Sequence, residues 1–356
     1  METTMNINDF ERPGERDYSY GSWENFTLGD EKRARGRFSR FFLALSLYTL
    51  ISYAVIFGAS FLTALPRFEG NEFLMSAEFT LLINCVAMYI IALPILYLTV
   101  FKMRGATRYK AKMTVKEFAM LFFVSYALMI AGSLVGTVVN EAIGMALGKE
   151  ITDSTAELIS EIPLWLTIVV PVIIGPIVEE FIFRKLLMDK LGTYGDRLAI
   201  TVSAIAFGLF HGNLSQFFYA VFLGFVLGYI YAKTSNIIYP ILMHMLINFV
   251  GSVIPLLFME PLNQYLEMTA EIAAGGTVDM ELYARVQVIS SIYSFFTLTL
   301  IGIGIFILFK RKNRFFLSDR CEIEIPKKRR ASVIVLNAGA IIFILFSLAS
   351  IILNII

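Results

Sequence analysis

Only two histidines stand in the chain, His211 and His244, and both fall inside long apolar stretches. A pair of glutamates is placed the same way. Glu179 and Glu180 lie in Ile-Val-Glu-Glu-Phe-Ile-Phe-Arg, which ends at Arg184. His211 closes Phe207-Gly-Leu-Phe-His, and His244 opens His-Met-Leu-Ile-Asn248. Helix positions four apart share a face. Glu180 and Arg184 can therefore pair and neutralise each other. Glu179 is rotated about 100° away and has no local cation. Phe207 and His211 share a face, as do His244 and Asn248. A carboxylate kept from water is a stronger base, and an imidazole beside it can orient a water molecule. A second imidazole with an amide one turn away supplies donors for a developing oxyanion. This set suits hydrolysis of an amide by an activated water. No Ser or Cys stands beside either histidine in a nucleophile motif, and no nucleophile elbow is present. Glu179, His211 and His244 also match a three-ligand hydrolytic zinc centre, although the helical His-Glu-x-x-His spacing is absent.

Each feature also has a plainer explanation. A lone histidine in an apolar run serves a buried hydrogen bond as readily as chemistry. Glu180 with Arg184 reads as a structural pair at a helix end, Phe207 as core packing, and Glu179 as a helix end set one turn off. None of these explains the joint pattern: a carboxylate, two imidazoles and an amide on three spans, with hardly any other ionisable group at depth. Each such group costs about 2.5–3.5 kcal/mol on insertion scales. The set reads as functional.

The elements that position it are membrane helices. Of 356 residues, 57% are hydrophobic and 17% charged, against roughly 45–50% and about 25% in a soluble domain. A net charge of +1 leaves no field to hold nucleic acid. Two cysteines, Cys85 and Cys321, exclude a disulfide scaffold and any four-cysteine metal site. Apolar runs occur near 41–64, 79–101, 117–139, 164–188, 198–211, 216–232, 236–258, 287–309 and 332–356. About 20 residues cross a bilayer, so the fifth and sixth are short, either tilted or incomplete crossings. The pattern predicts an all-α, polytopic transmembrane bundle of about eight or nine spans, multi-pass in the cell membrane, with the lipid bilayer as its surroundings. Residues 1–40 read as a flexible polar cytosolic tail rather than a cleavable signal peptide, and residues 41–356 as one transmembrane domain without internal repeats. Pro171, Gly175 and Pro176 predict a kink, with freed carbonyls near the glutamates.

Positive charge sets the orientation. With the N-terminus cytosolic, inner segments from Lys32 onward hold 25 Lys and Arg, including Arg33, Arg108, Lys190, Lys233 and the cluster from Lys310 to Arg330. Outer segments hold three, Arg67, Lys149 and Arg285. The acidic stretch 259–286 is then an outer loop, and nine spans leave the C-terminus outside. One geometric difficulty stands. His211 lies about 21 Å along its helix from Arg197, and His244 about 12 Å from Asn236; straight parallel helices would hold them at different depths.

Glu-Glu-x-x-x-Arg, then Phe-x-x-x-His, then His-x-x-x-Asn, in that order on successive membrane helices, resembles the CPBP family. It comprises the type II CAAX prenyl proteases and bacterial proteases linked to bacteriocin processing and self-immunity. The likeness covers about residues 117–258, with no departure at Glu179, Glu180, Arg184, Phe207, His211, His244 or Asn248. It implies an intramembrane glutamic endopeptidase without a cofactor, acting on a membrane-associated peptide or protein. Glu179 and His211 would activate water, His244 and Asn248 would form the oxyanion site, and Glu180, Arg184 and Phe207 would support them. In a bacterial host a leader peptide or another membrane protein fits better than a prenylated substrate. Some family members were once described as metalloproteases, which keeps a zinc enzyme with ligands Glu179, His211 and His244 as the alternative. A non-catalytic scaffold or immunity protein is the rival outside enzymes; loss of a motif residue would favour it, and none is lost. A proton-coupled transporter would need more ionisable groups and an internal repeat.

Overall fold

The computed structural model describes residues 26–106, 108, 110–311 and 321–355, and every regular element among them is helical. The first helix, α1, is Leu28–Thr63. It begins inside the stretch read as tail because Thr27 and Asp30 form a capping box: the Asp30 N–H donates to the Thr27 hydroxyl, and the Thr27 N–H donates to the Asp30 carboxylate. The apolar face overlooked there starts at Ala34 and Phe38 and continues through Phe41, Leu45 and Tyr48, all buried. The remainder of the expected tail, residues 1–25, lies outside the described residues, as does 312–320 within the basic cluster.

Then follow α2 (Ala77–Val100), α3 (Val115–Leu147), the short α4 (Ser154–Glu161), α5 (Leu164–Tyr194), α6 (Asp196–Phe210), α7 (Leu214–Thr234), α8 (Ile238–Ala273), α9 (Met280–Arg311), the short α10 (Lys327–Ile334) and α11 (Ala338–Ile355). Among the described residues, α1, α2, α3, α5, α7, α8, α9 and α11 are long and apolar enough to cross a membrane. The protein is a multi-pass membrane protein.

Helix α6, the expected fifth run, has 15 residues and reaches about 22 Å, short of a hydrocarbon core of about 30 Å. It survives by packing on α5 and α7, with Ser203, Ala204 and Phe207 buried. A Cβ on Gly224 of α7 would stand 2.9 Å from the Ala204 Cα, a close approach of the small-residue type used between membrane helices. The expected outer loop 259–286 is mostly helix. Helix α8 continues to Ala273 and α9 starts at Met280. Stacked rings, Phe258 on Tyr293 and Tyr265 on Tyr283, pair the two extensions.

The basic segments meet at one end of the bundle. Arg108, before α3, pairs with Asp189 and Asp196 at 3.1 and 2.9 Å. Tyr231 of α7 donates to Asp189 at 2.8 Å, and the Glu322 N–H donates to the Thr193 carbonyl at 2.9 Å. Thus α6 and α7 form a hairpin that returns to the side where α5 ends. One buried apolar cluster joins α1, α2, α5, α6 and α11; a second joins α3, α7, α8 and α9. Segments of π-helix interrupt α2 at Val86–Ala92, α5 at Ile168–Ile174 and Phe181–Met188, and α8 at Phe249–Val253. Such segments are frequent at functional sites.

Candidate active site

Glu180 and Arg184 pair as their spacing predicts, with Nε 2.9 Å from the carboxylate and both side chains fully buried. Neither could stand alone in this environment, since an unpaired buried charge is strongly destabilising. Arg184 also donates to the hydroxyl of Ser203 on α6, which itself donates to the Phe183 carbonyl at 3.0 Å. The guanidinium lies 5.4 Å from the Phe207 ring centroid, within cation–π range. Ser203, one turn before Phe207, was not singled out in the sequence; its place on the Phe207–His211 face was the available signal.

Glu180 has a second partner that local spacing does not reveal. Nδ1 of His244 lies 3.1 Å from its other carboxylate oxygen. Nε2 of the same ring lies 3.6 Å from Glu179. The imidazole therefore stands between the two glutamates, and Glu179, which has no cation one turn away on its own helix, faces it. The glutamates differ in access: the Glu179 side chain is 21% exposed and that of Glu180 is 0% exposed.

His211 is fixed by the end of its own helix. The last carbonyls of α6 lack intrahelical partners, and the His211 Nδ1–H donates to the Phe207 carbonyl at 2.8 Å. A carbonyl only accepts, so Nδ1 carries the proton and Nε2 of the neutral ring is left as an acceptor. The Phe207 ring meets His211 edge to face at 4.8 Å and His244 at 5.7 Å. The two histidines thus reach one aromatic ring, and the depth mismatch expected from straight helices does not arise.

The turn after His211 is held from the far end of the chain. Gly212 has φ 61°, and its carbonyl accepts from Ser350 and Asn354 of α11 at 3.3 and 3.0 Å. Tyr53 of α1 bonds to Ser350. Asn213 then caps α7 through the Ser215 N–H and donates to Asp153 at 2.9 Å. The last span, lying outside the motifs, positions a motif residue.

Asn248 lies one turn from His244, and its amide donates to the Pro171 carbonyl at 2.9 Å. The reason is in the sequence. Gly175 donates its N–H to Val170 in π register; in that register the Pro171 carbonyl would need the N–H of residue 176, which is a proline. The kink frees that carbonyl, and Asn248 takes it. One amide hydrogen of Asn248 is so engaged, and the other remains.

Glu179, Glu180, Arg184, Phe207 and His244 thus form one connected group, with His211 against Phe207 and Asn248 one turn beyond His244. Among the described residues no three His, Cys, Asp or Glu side chains gather as a metal set; Glu179 approaches His244, while His211 turns its Nδ1 to a backbone carbonyl.

The family model described as type II CAAX prenyl endopeptidase Rce1-like matches residues 161–250, a narrower stretch than the 117–258 of the motif likeness. YdiL of Bacillus subtilis (strain 168), named as a candidate membrane peptidase, is 30% identical over 162 residues, covering 44% of this chain and 62% of that protein. The membrane-embedded CAAX protease MroQ of Staphylococcus aureus (strain USA300) is 31% identical over 130 residues, covering 34% of this chain and 52% of the relative. The chain thus spans less than two thirds of either relative's length. No solved structure matches it significantly. The matched stretch runs from α5 into α8 and carries all three motifs on the helices that bring them together, so this part of the chain is similar to the type II CAAX prenyl endopeptidase family.

Proposed function

We propose that the protein is an intramembrane glutamic endopeptidase that hydrolyses a peptide bond of a membrane-associated peptide or protein. The difference between the two glutamates carries this reading. Glu180 is enclosed and committed to Arg184 and His244. Glu179 keeps an open face beside the same imidazole, as a group that must exchange protons with water requires.

In this reading Glu179 takes a proton from a water oriented by the free Nε2 of His211. The water oxygen bonds to the peptide carbonyl carbon. The oxyanion that forms accepts from Nε2–H of His244 and from the remaining amide hydrogen of Asn248. Because Nδ1 of His244 is spent on Glu180, Nε2 donates only when the ring carries both protons. Two carboxylates then face one guanidinium and one imidazolium, and the enclosed group is neutral overall, as a low-dielectric site demands. Collapse breaks the C–N bond, and the proton held by Glu179 passes to the leaving nitrogen. The names of the two relatives, a candidate membrane peptidase and a membrane-embedded CAAX protease, support a peptide substrate in the membrane.

The test is cleavage of a dye–quencher peptide with an apolar C-terminal half by purified protein in lipid nanodiscs. Cleavage by the native protein and none by Glu179→Gln is expected. Cleavage undiminished in Glu179→Gln would reject the assignment.

A further inference from the structure

The motif residues account for only part of what surrounds Glu179. Tyr48 of α1 is 1% exposed, and its hydroxyl is buried without a hydrogen-bond partner among the described residues. Its ring packs on Phe210, the neighbour of His211, at 5.2 Å, and Phe210 packs on Phe183 of α5 at 5.2 Å. These contacts lock the ring, so the hydroxyl cannot swing out to solvent.

A second hydroxyl enters from α2. Gly175, one turn before Glu179, has no side chain, and a Cβ there would stand 3.7 Å from the Tyr89 hydroxyl and 3.9 Å from Oε1 of Glu179. The phenol and the carboxylate oxygen flank the same bare glycine. Tyr89 sits in the π segment Val86–Ala92, which packs directly on α1. Tyr48 and Phe183 lie in one buried cluster, with Tyr89 packed against it, and Phe183 stands one turn beyond Glu179 on the same face of α5. Both tyrosines lie outside residues 161–250.

A buried hydroxyl left unpaired is destabilising, and helix packing alone offers no reason to keep one beside a carboxylate; phenylalanine would fill the space. A water molecule removes the deficit when two to four polar groups surround it. We propose that Tyr48, Tyr89 and Glu179 form the seat of the attacking water, with the Tyr48 hydroxyl as the positioning group opposite the base. This rests on the reading of Glu179 above and adds to it. A carboxylate alone binds a water at many angles. Two phenols fixed on separate helices hold its oxygen in one place, and the matched α5–α8 segment acquires that precision only with α1 and α2 packed against it. Tyr48 and Tyr89 act through the water and not on the substrate.

Two measurements test this. A crystal structure of the native protein from a lipid phase, at a resolution that shows ordered water, should place a water within hydrogen-bond distance of both the Tyr48 hydroxyl and the Glu179 carboxylate. A dry contact between Tyr48 and Tyr89 would overturn the proposal, whatever the protein cleaves. In the peptide assay, Tyr48→Phe should lower kcat between about 10- and 100-fold, the range expected when a reacting group is misplaced by a fraction of an ångström to an ångström. KM should stay within about twofold, and the melting temperature should hold, since the variant keeps the packing of the ring on Phe210. Native kcat in Tyr48→Phe would overturn the proposal and leave Glu179 as base untouched. A fall in kcat accompanied by a fall in melting temperature would also overturn it, by showing the hydroxyl to be structural. Undiminished cleavage by Glu179→Gln would remove the reading beneath it, while the water in the crystal structure would still report on the seat.

Discussion

Nδ1 of His244 stands 3.1 Å from one carboxylate oxygen of Glu180, whose other oxygen lies 2.9 Å from Arg184. One carboxylate therefore fixes both the guanidinium and the imidazole, and the orientation of the ring determines that its other nitrogen faces Glu179. The two adjacent glutamates differ in exposure, 21% for the Glu179 side chain and 0% for that of Glu180, because successive helix positions point about 100° apart.

The glutamates should separate cleanly on substitution. Glu179→Gln keeps the shape and removes the proposed base, so turnover should vanish while the melting temperature changes little. Glu180→Gln leaves Arg184 buried and unpaired and frees His244, which should cost about 3–5 kcal/mol of stability as well as activity. Thermal unfolding in nanodiscs beside the peptide assay checks both; equal destabilisation of the two variants would count against the assignment.

In the proposed mechanism Asn248→Ala removes an oxyanion donor, and it leaves the Pro171 carbonyl without its partner. The rate should fall by about 10²–10³, with substrate binding nearly unchanged. A change confined to KM would place Asn248 in substrate binding instead.

Metal dependence is decided by composition rather than rate. Full activity in excess chelator, with no stoichiometric metal on elemental analysis, is expected. Zinc at one per chain, lost together with activity in His244→Ala and restored by added zinc, would replace the glutamic mechanism with the zinc one.

Gly212 is the hinge between His211 and α7. A Cβ there would lie 2.4 Å from the Ser350 hydroxyl, and its positive φ is costly for alanine by about 1–2 kcal/mol. Gly212→Ala should lower stability by at least that amount and cut kcat about 10- to 100-fold by displacing the imidazole. Native kinetics in this variant would show that α11 does not position His211.

Orientation is tested by labelling in a background lacking Cys85 and Cys321. An impermeant thiol reagent applied to intact cells should modify Thr277→Cys, in the α8–α9 turn, and spare Lys328→Cys until the cells are opened. The reverse pattern would invert the assigned topology.

Hydropathy and motif spacing made much of this molecule readable. Membrane helices announce themselves because each must satisfy its backbone internally over some 20 apolar residues, and the rarity of ionisable groups at depth picked out Glu179, Glu180, Arg184, His211 and His244 without any fold, with Asn248 marked by its place one turn from His244. Spacing of four predicted the Glu180–Arg184 pair because both residues ride one helix. The same signals misjudged places where packing or capping overrides composition. The start of α1 rests on a Thr27–Asp30 box within a polar stretch. The α8–α9 extensions are held by ring stacking.

By itself the sequence determined the spans, the order of the motifs and the local pairs, all properties of one helix at a time. Tertiary structure decided which helices meet. It set His244 between two glutamates 64 and 65 residues away, tied His211 to the last span through Gly212, and set the Tyr89 hydroxyl and Glu179 around the same glycine, Gly175. The physical reason is that side-chain direction around a helix follows from the chain, whereas the rotation and approach of one helix against another follow from glycine contacts, kinks and buried pairs that many residues set together.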